Sequence, residues 1–217
     1  TRARELLSEL GVLPLNATDI SEVGATVEKL LHGRLLKSTP DGAPLGDLLD
    51  VGTGTGAIAI NLAIHLPAAR IYAFDSSDSA LDVAAYNVRA HNVADRVTLG
   101  KGDLLEPLQE PVDLIVANLP YIPTSRIPNL QPEIQWEPKI ALDGGEDGLE
   151  LIRRLLSQAS SKVKEQATIL LELDPEQVPA VEELAKQHFP NATTSVEQDL
   201  AHLDRVFVIT QGETEGG

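Results

Sequence analysis

From Leu45 to Ile209, short apolar runs alternate with segments of helical period, and this alternation restricts the possible folds more than any single motif does. A brief apolar run bounded by turn residues reads as a buried strand, and an amphipathic segment after it supplies the crossover that parallel pairing needs. Strands are predicted at 47–51, 70–74, 96–100, 112–117, 167–173, 193–197 and 204–210. Helical spacing fills 57–66, 79–90, 148–163 and 175–189, with Asp78 and Pro175 where a helix would start. The stretch 198–203 is shorter than the dozen or so residues of a crossover, so the last two strands run antiparallel. The expected class is α/β, a mostly parallel sheet with helices on both faces.

Upstream, Ile20, Val23, Val27, Leu30, Leu31 and Leu35 repeat at helical spacing, with Asp19 and Glu22 forming a capping-box-like start. Residues 1–44 therefore read as an N-terminal helical segment, ended by the break Gly42-Ala43-Pro44. Residues 45–211 read as one domain and 212–217 as a polar, frayed tail. Within the domain, 121–145 carries Pro123, Pro128, Pro132 and Pro138 and little periodicity. It reads as a long loop over the C-terminal edge of the sheet, and loops of that length are commonly functional.

Composition narrows the function classes. The chain has 33 acidic against 17 basic side chains, a formal charge of −16, which opposes a phosphate backbone. Arg153-Arg154 with Lys162 and Lys164 reads as a solvated helix face rather than a nucleic-acid patch. Without cysteine there is no disulfide or thiolate metal site, and the histidines form no HxH or HExxH pair, so no metal is expected. No apolar stretch approaches the roughly 18–20 residues of a membrane span, and a soluble, cytoplasmic protein is expected.

The first strand runs into Asp50-Val51-Gly52-Thr53-Gly54-Thr55-Gly56-Ala57. Glycines permit a tight turn and bring backbone N–H groups close to a ligand at a helix N-terminus. Gly52, Gly54 and Ala57 also satisfy the dinucleotide pattern, so the loop alone is ambiguous. The second strand ends in Phe74-Asp75, at the separation where a carboxylate takes ribose hydroxyls, with Ser76 beside it. After the third strand, Asp103 is placed to accept from an exocyclic adenine amine while Leu104 lines the face of the base. After the fourth comes Asn118-Leu119-Pro120-Tyr121, an amide, a stiffened backbone and an aromatic face suited to gripping one planar NH2 group.

Residues 50–56, Asp75, Asp103 and 118–121, in this order on successive strand ends, resemble the class I S-adenosylmethionine-dependent methyltransferases. The resemblance implies a Rossmann-like seven-stranded sheet with an antiparallel last strand, and S-adenosyl-L-methionine as cofactor. It implies that Asp50, Gly52, Thr53, Gly54, Gly56, Asp75, Ser76, Asp103, Leu104 and Asn118 hold that cofactor. Asn118-Leu119-Pro120-Tyr121 is similar to the (Asn/Asp)-Pro-Pro-Tyr motif of enzymes that methylate amide or exocyclic amino nitrogens. On that pattern the Asn118 oxygen and the Leu119 carbonyl accept the two N–H donors, Pro120 stiffens the loop and Tyr121 stacks on the acceptor. A nicotinamide dehydrogenase has no need of such a clamp.

Glu137-Pro138, Ala141-Leu142, Gly144-Gly145, Asp147-Gly148-Leu149 and Arg153 are similar to a segment of the protein-glutamine N5-methyltransferases of peptide-chain release factors. Leu171-Glu172 with Gln177, and Asp199-Leu200-Ala201 with Asp204-Arg205, extend the likeness. It implies transfer to a glutamine amide of a protein, a release factor, with residues 1–44 as part of a truncated substrate-recognition unit. The chain departs from the pattern at Leu119, where the motif has proline, and at 13–19. Asn-Leu-Pro-Tyr also resembles the clamp of rRNA adenine N6-dimethyltransferases, and an inactive cofactor-binding relative is the remaining alternative. Trp136 reads as a packing residue and Asp204-Arg205 as a structural pair.

Overall fold

The computed structural model describes residues 46–131, 138–198 and 204–212. The helical segment expected within residues 1–44, with its break at 42–44, Trp136, Glu137, Asp199-Leu200-Ala201 and the tail beyond Gly212 lie outside the described residues. The chain divides into two compact units, the first ending at Val116 and the second beginning at Ala117.

The first unit holds strands β1 (Asp47–Val51), β2 (Arg70–Asp75), β3 (Val97–Lys101) and β4 (Val112–Ala117, whose last residue opens the second unit), with helices α1 (Ala57–His65) and α2 (Asp78–Ala90). The second holds α3 (Glu150–Ala159), β5 (Val163–Glu172), α4 (Val178–His188), β6 (Thr193–Gln198) and β7 (Asp204–Thr210). In strand order the first unit contributes β3-β2-β1-β4 and the second β5-β7-β6 of a seven-stranded, mostly parallel sheet.

In the first unit every residue of β1 is buried, as expected of a strand covered on both faces. It pairs in parallel with β2 from Asp47↔Arg70 to Val51↔Phe74, and β2 with β3 from Ile71↔Val97 to Asp75↔Lys101. Parallel strands in register end at one edge, so the segments after Val51, Asp75 and Lys101 share that edge. The α1 helix buries Ala59, Ile60, Asn61, Leu62 and Ala63 in succession, whereas α2 buries only the stripe Val83, Ala84, Asn87 and Val88.

In the second unit β7 lies between β5 and β6 and is antiparallel to both, pairing Leu171↔Phe207 and Val196↔Phe207. The short connection before β7 thus has the consequence foreseen for it. Helix α3 presents Ile152, Leu155, Leu156 and Ala159 to the interior, an i, i+3, i+4, i+7 stripe.

Three differences from expectation have local causes. The helix expected over 148–163 is confined to Glu150–Ala159, because Gly148 has φ +76° and the Asp147 carboxylate accepts from Leu149 N at 3.1 Å, fixing a turn at the helix start. Strand β5 begins at Val163 rather than 167, through Lys164, Glu165 and Gln166, polar residues that carry no apolar signal. The segment 175–189 opens with a 3-10 turn, Pro175–Gln177, capped by Asp174, before α4 starts. No helix among the described residues is long and apolar enough to cross a membrane.

Phe207 is 1% exposed and central to β7. Phe207→Ala is expected to lower the unfolding free energy by about 3–5 kcal/mol through transfer and cavity costs, read as a lower urea midpoint at unchanged slope.

Candidate active site

At the end of β1 the loop doubles back on β2. Gly52 N and Thr53 N both donate to the Phe74 carbonyl at 2.9 Å, and Gly56 N donates to Thr53 O at 2.8 Å. This path requires φ of +71°, +55° and +83° at Gly52, Gly54 and Gly56. Such values disfavour any L side chain. A Cβ at Gly56 would lie 3.3 Å from the Ala84 Cβ of α2, so that glycine also lets loop and helix approach. At Gly54 a Cβ would meet only the Gly52 carbonyl oxygen, at 4.0 Å, and otherwise open space.

Asp50, in β1, is 1% exposed. Its Oδ2 accepts from Thr53 Oγ1 at 2.6 Å and Ala59 N at 3.1 Å, so it ties the loop to the first turn of α1. Its Oδ1 is buried and accepts no hydrogen bond from the described residues. Burial pushes the carboxyl pKa up to about 6; the Thr53 and Ala59 bonds oppose the rise and the nearby Asp75 adds to it.

Asp75 ends β2 and is half-buried. Its Oδ2 accepts from Gly54 N and its Oδ1 from Ser77 N, both at 2.8 Å. Ser77 caps α2 by accepting from Ala80 N, so Asp75 is a strut for the glycine loop rather than a helix cap. Each carboxylate oxygen has more than one acceptor site, so room remains for ligand hydroxyls. Ser76 is exposed. Gly102 N donates to the Asp75 carbonyl at 3.1 Å, bringing the end of β3 alongside. Asp103 then opens a turn closed by Glu106 N at 3.1 Å. Leu104 takes φ +53°, rare for a leucine, and its side chain is 7% exposed, so it offers a ligand little surface.

In the second unit the side chains of 118–121 divide sharply. Asn118 is exposed, Leu119 is buried at 5%, and Pro120 and Tyr121 are half-buried. The backbone beyond them is gripped by residues 142–148. Ile122 N donates to Leu142 O at 3.1 Å, Gly144 N to Ile122 O at 2.9 Å and Thr124 N to Gly145 O at 2.8 Å, a short parallel ribbon with a bridge at Ile122↔Asp143. Asp143 accepts from Thr124 Oγ1 at 2.5 Å and Gly145 N at 3.1 Å, bonds that hold its carboxyl below the usual range. A Cβ at Gly144 would stand 2.6 Å from the Pro120 carbonyl oxygen, and one at Gly148 would overlap the Tyr121 carbonyl oxygen and Gln177 Nε2. Buried Gln177 donates to that Tyr121 carbonyl at 2.9 Å.

The chain matches the family model described as "Methyltransferase small domain" over residues 29–131. It is 44% identical over 167 residues to the release factor glutamine methyltransferase of Moorella thermoacetica, covering 76% of this chain and 59% of that protein. Over these residues the chain is similar to a methyltransferase domain. A second relative, the ribosomal protein uL3 glutamine methyltransferase of Bradyrhizobium diazoefficiens, is 43% identical over 127 residues, 58% of this chain and 40% of that protein. The ribosomal protein L11 methylase of Lactobacillus delbrueckii subsp. bulgaricus shares the fold at TM-score 0.58 and 22% identity, over 91% of this chain and 80% of that one. The chain spans about three fifths of the length of the first curated relative it matches.

Asp50, Asp75 and Asp103 give the glycine-loop edge an acidic character. The described residues of the candidate basic patch include Arg153, and its guanidinium is engaged with both carboxylate oxygens of Asp147, whose pKa it holds down to about 2. Asp204 and Arg205 serve separate partners, Gln198 Nε2 at 3.0 Å and the Leu173 carbonyl at 3.4 Å. Thr124 and Asp143 were not singled out from sequence, because a side-chain bond across so many residues leaves no periodic trace.

Because the Asp50 pKa is higher folded than unfolded, its contribution favours the folded state in acid and is lost as pH rises from about 4 through 6. The stability of wild type relative to Asp50→Asn is therefore expected to fall by about 2–3 kcal/mol between pH 4 and 7. Urea unfolding of both proteins across that range measures it; a constant difference would contradict the assignment.

Proposed function

We propose that this chain transfers a methyl group from S-adenosylmethionine to the side-chain amide nitrogen of a glutamine, and that the glutamine belongs to a peptide-chain release factor. The observation that carries the reading is the Asn118-Leu119-Pro120-Tyr121 segment, its asparagine exposed and its following backbone locked by Gly144, Gly148 and Gln177.

When bound, S-adenosylmethionine supplies an electrophilic methyl group on a sulfonium. The glycine loop of Gly52, Thr53, Gly54 and Gly56 would receive it, Asp75 with Ser76 would take ribose hydroxyls, and Asp103 would accept from the adenine amine, with buried Leu104 shaping the backbone beside it. Asp50, with one buried oxygen lacking a hydrogen bond from the described residues, supplies negative charge toward a cationic ligand.

An amide nitrogen is a poor nucleophile because its lone pair is delocalised. The remedy is alignment: the Asn118 Oδ1 and the Leu119 carbonyl accept its two hydrogens, and the Tyr121 ring stacks on the planar group. Both acceptors are dipoles aimed at the nitrogen as it becomes positive, so no strong base is required, and the proton the nitrogen sheds would pass to solvent.

The two curated relatives differ in the protein named but share glutamine as the acceptor, which supports the amide. The uL3 relative favours a second reading, in which the acceptor is a ribosomal-protein glutamine. The charge of −16 weighs against RNA. Residues 1–44 are assigned to substrate recognition, and the setting is cytoplasmic translation.

Labelled S-adenosylmethionine offered in parallel to release factor, ribosomal proteins and rRNA tests this. Label on a release-factor glutamine, located by mass spectrometry, is expected. Label in uL3 alone moves the assignment to the second reading, and label in rRNA alone, or in nothing, overturns it.

A further inference from the structure

We propose that Glu172 is a positioning residue: its carboxylate accepts the Tyr121 phenolic hydrogen and so fixes where the ring lies against the acceptor amide. This deepens, and rests on, the reading of Tyr121 as the stacking face. Tyr121 Oη donates to Glu172 Oε1 at 3.3 Å, a contact between residues far apart in sequence. At the other end of the residue, the Tyr121 carbonyl accepts from Gln177 Nε2 at 2.9 Å. The tyrosine is thus held at both ends by one short stretch, 172–177.

That stretch is itself rigid. Glu172 is the last residue of β5, paired opposite Val206, and Leu173 N donates to Arg205 O at 3.0 Å. Asp174 and Gln177 form a reciprocal capping box, Glu176 N donating to Asp174 Oδ1 at 3.1 Å and Asp174 N to Gln177 Oε1 at 3.0 Å. A hydroxyl engaged with Glu172 leaves the flat ring as what Tyr121 offers a substrate. Burial, then the Glu172 charge, push the phenol pKa up; Arg205 opposes and Asp174 adds to the rise. The group therefore remains a protonated donor at neutral pH.

The test uses Glu172→Ala, Glu172→Gln, Tyr121→Phe and the Glu172→Ala/Tyr121→Phe double variant of the full chain. Glu172→Ala is expected to lower kcat by about tenfold to a hundredfold, the range for a hydrogen bond to a charged group, with the S-adenosylmethionine dissociation constant unchanged. Glu172→Gln keeps an acceptor oxygen and is expected to recover most of that loss. In the Tyr121→Phe background, Glu172→Ala is expected to cost less than about twofold, since the contact is already gone. Independently of catalysis, ultraviolet titration should show the Tyr121 component, identified by its loss in Tyr121→Phe, moving to lower pH in Glu172→Ala. Equal costs of Glu172→Ala in both backgrounds, or an unmoved Tyr121 titration, would overturn the proposal. If wild type transfers no methyl group to any acceptor, the methyl-transfer reading falls, while the titration still decides whether Glu172 governs Tyr121.

Discussion

Parallel pairing in register is the constraint on which the first unit depends. With Asp47 opposite Arg70 and Ile71 opposite Val97, strands β1, β2 and β3 end together, and the chain must turn three times along one edge. The turns are coupled there: Gly52 and Thr53 bond to Phe74, Gly54 to the Asp75 side chain, and Gly102 to the Asp75 carbonyl. A slip of one residue would send alternate side chains to the opposite face and take the Asp75 carboxylate away from Gly54 N. The acidic edge is thus a product of strand register as much as of loop sequence.

The second unit addresses a different problem, holding a short segment still where the related motif carries one more proline. Leu119 cannot restrict its own φ as proline would. Rigidity comes instead from outside the segment. Leu119 is buried, the Pro120 carbonyl lies against Gly144, and the Tyr121 carbonyl is gripped by Gln177 over a glycine that leaves no room for a Cβ. Gly144 and Gly148 are needed because backbone must approach backbone, which any side chain would prevent.

Much of this was legible in the sequence. Strands β1, β4 and β7 fall where the apolar runs predicted, and in β1 and β4 near-complete burial accounts for the strength of the signal. The antiparallel end of the sheet followed from the length of one connection. Less legible was whatever depends on pairs distant in sequence. The Ile122↔Asp143 bridge crosses a segment that reads as plain loop, and the start of β5 is polar. From sequence Asp75 reads as a ribose ligand, and its bonds to Gly54 and Ser77 emerge only in the fold. Glu172 and Gln177 stood out only through resemblance; their grip on Tyr121 needs the fold to bring 172–177 against 121.

The central claim is a division of roles, with the glycine loop and its carboxylates serving the methyl donor and Asn118 serving the acceptor nitrogen. Measuring kcat and the S-adenosylmethionine dissociation constant on the same preparation of Asn118→Ala tests it most directly. The account predicts a kcat lower by about a hundredfold to a thousandfold, as for loss of one aligned polar group, with donor affinity changed by less than about threefold. A donor dissociation constant that rises in step with the loss of turnover would contradict it.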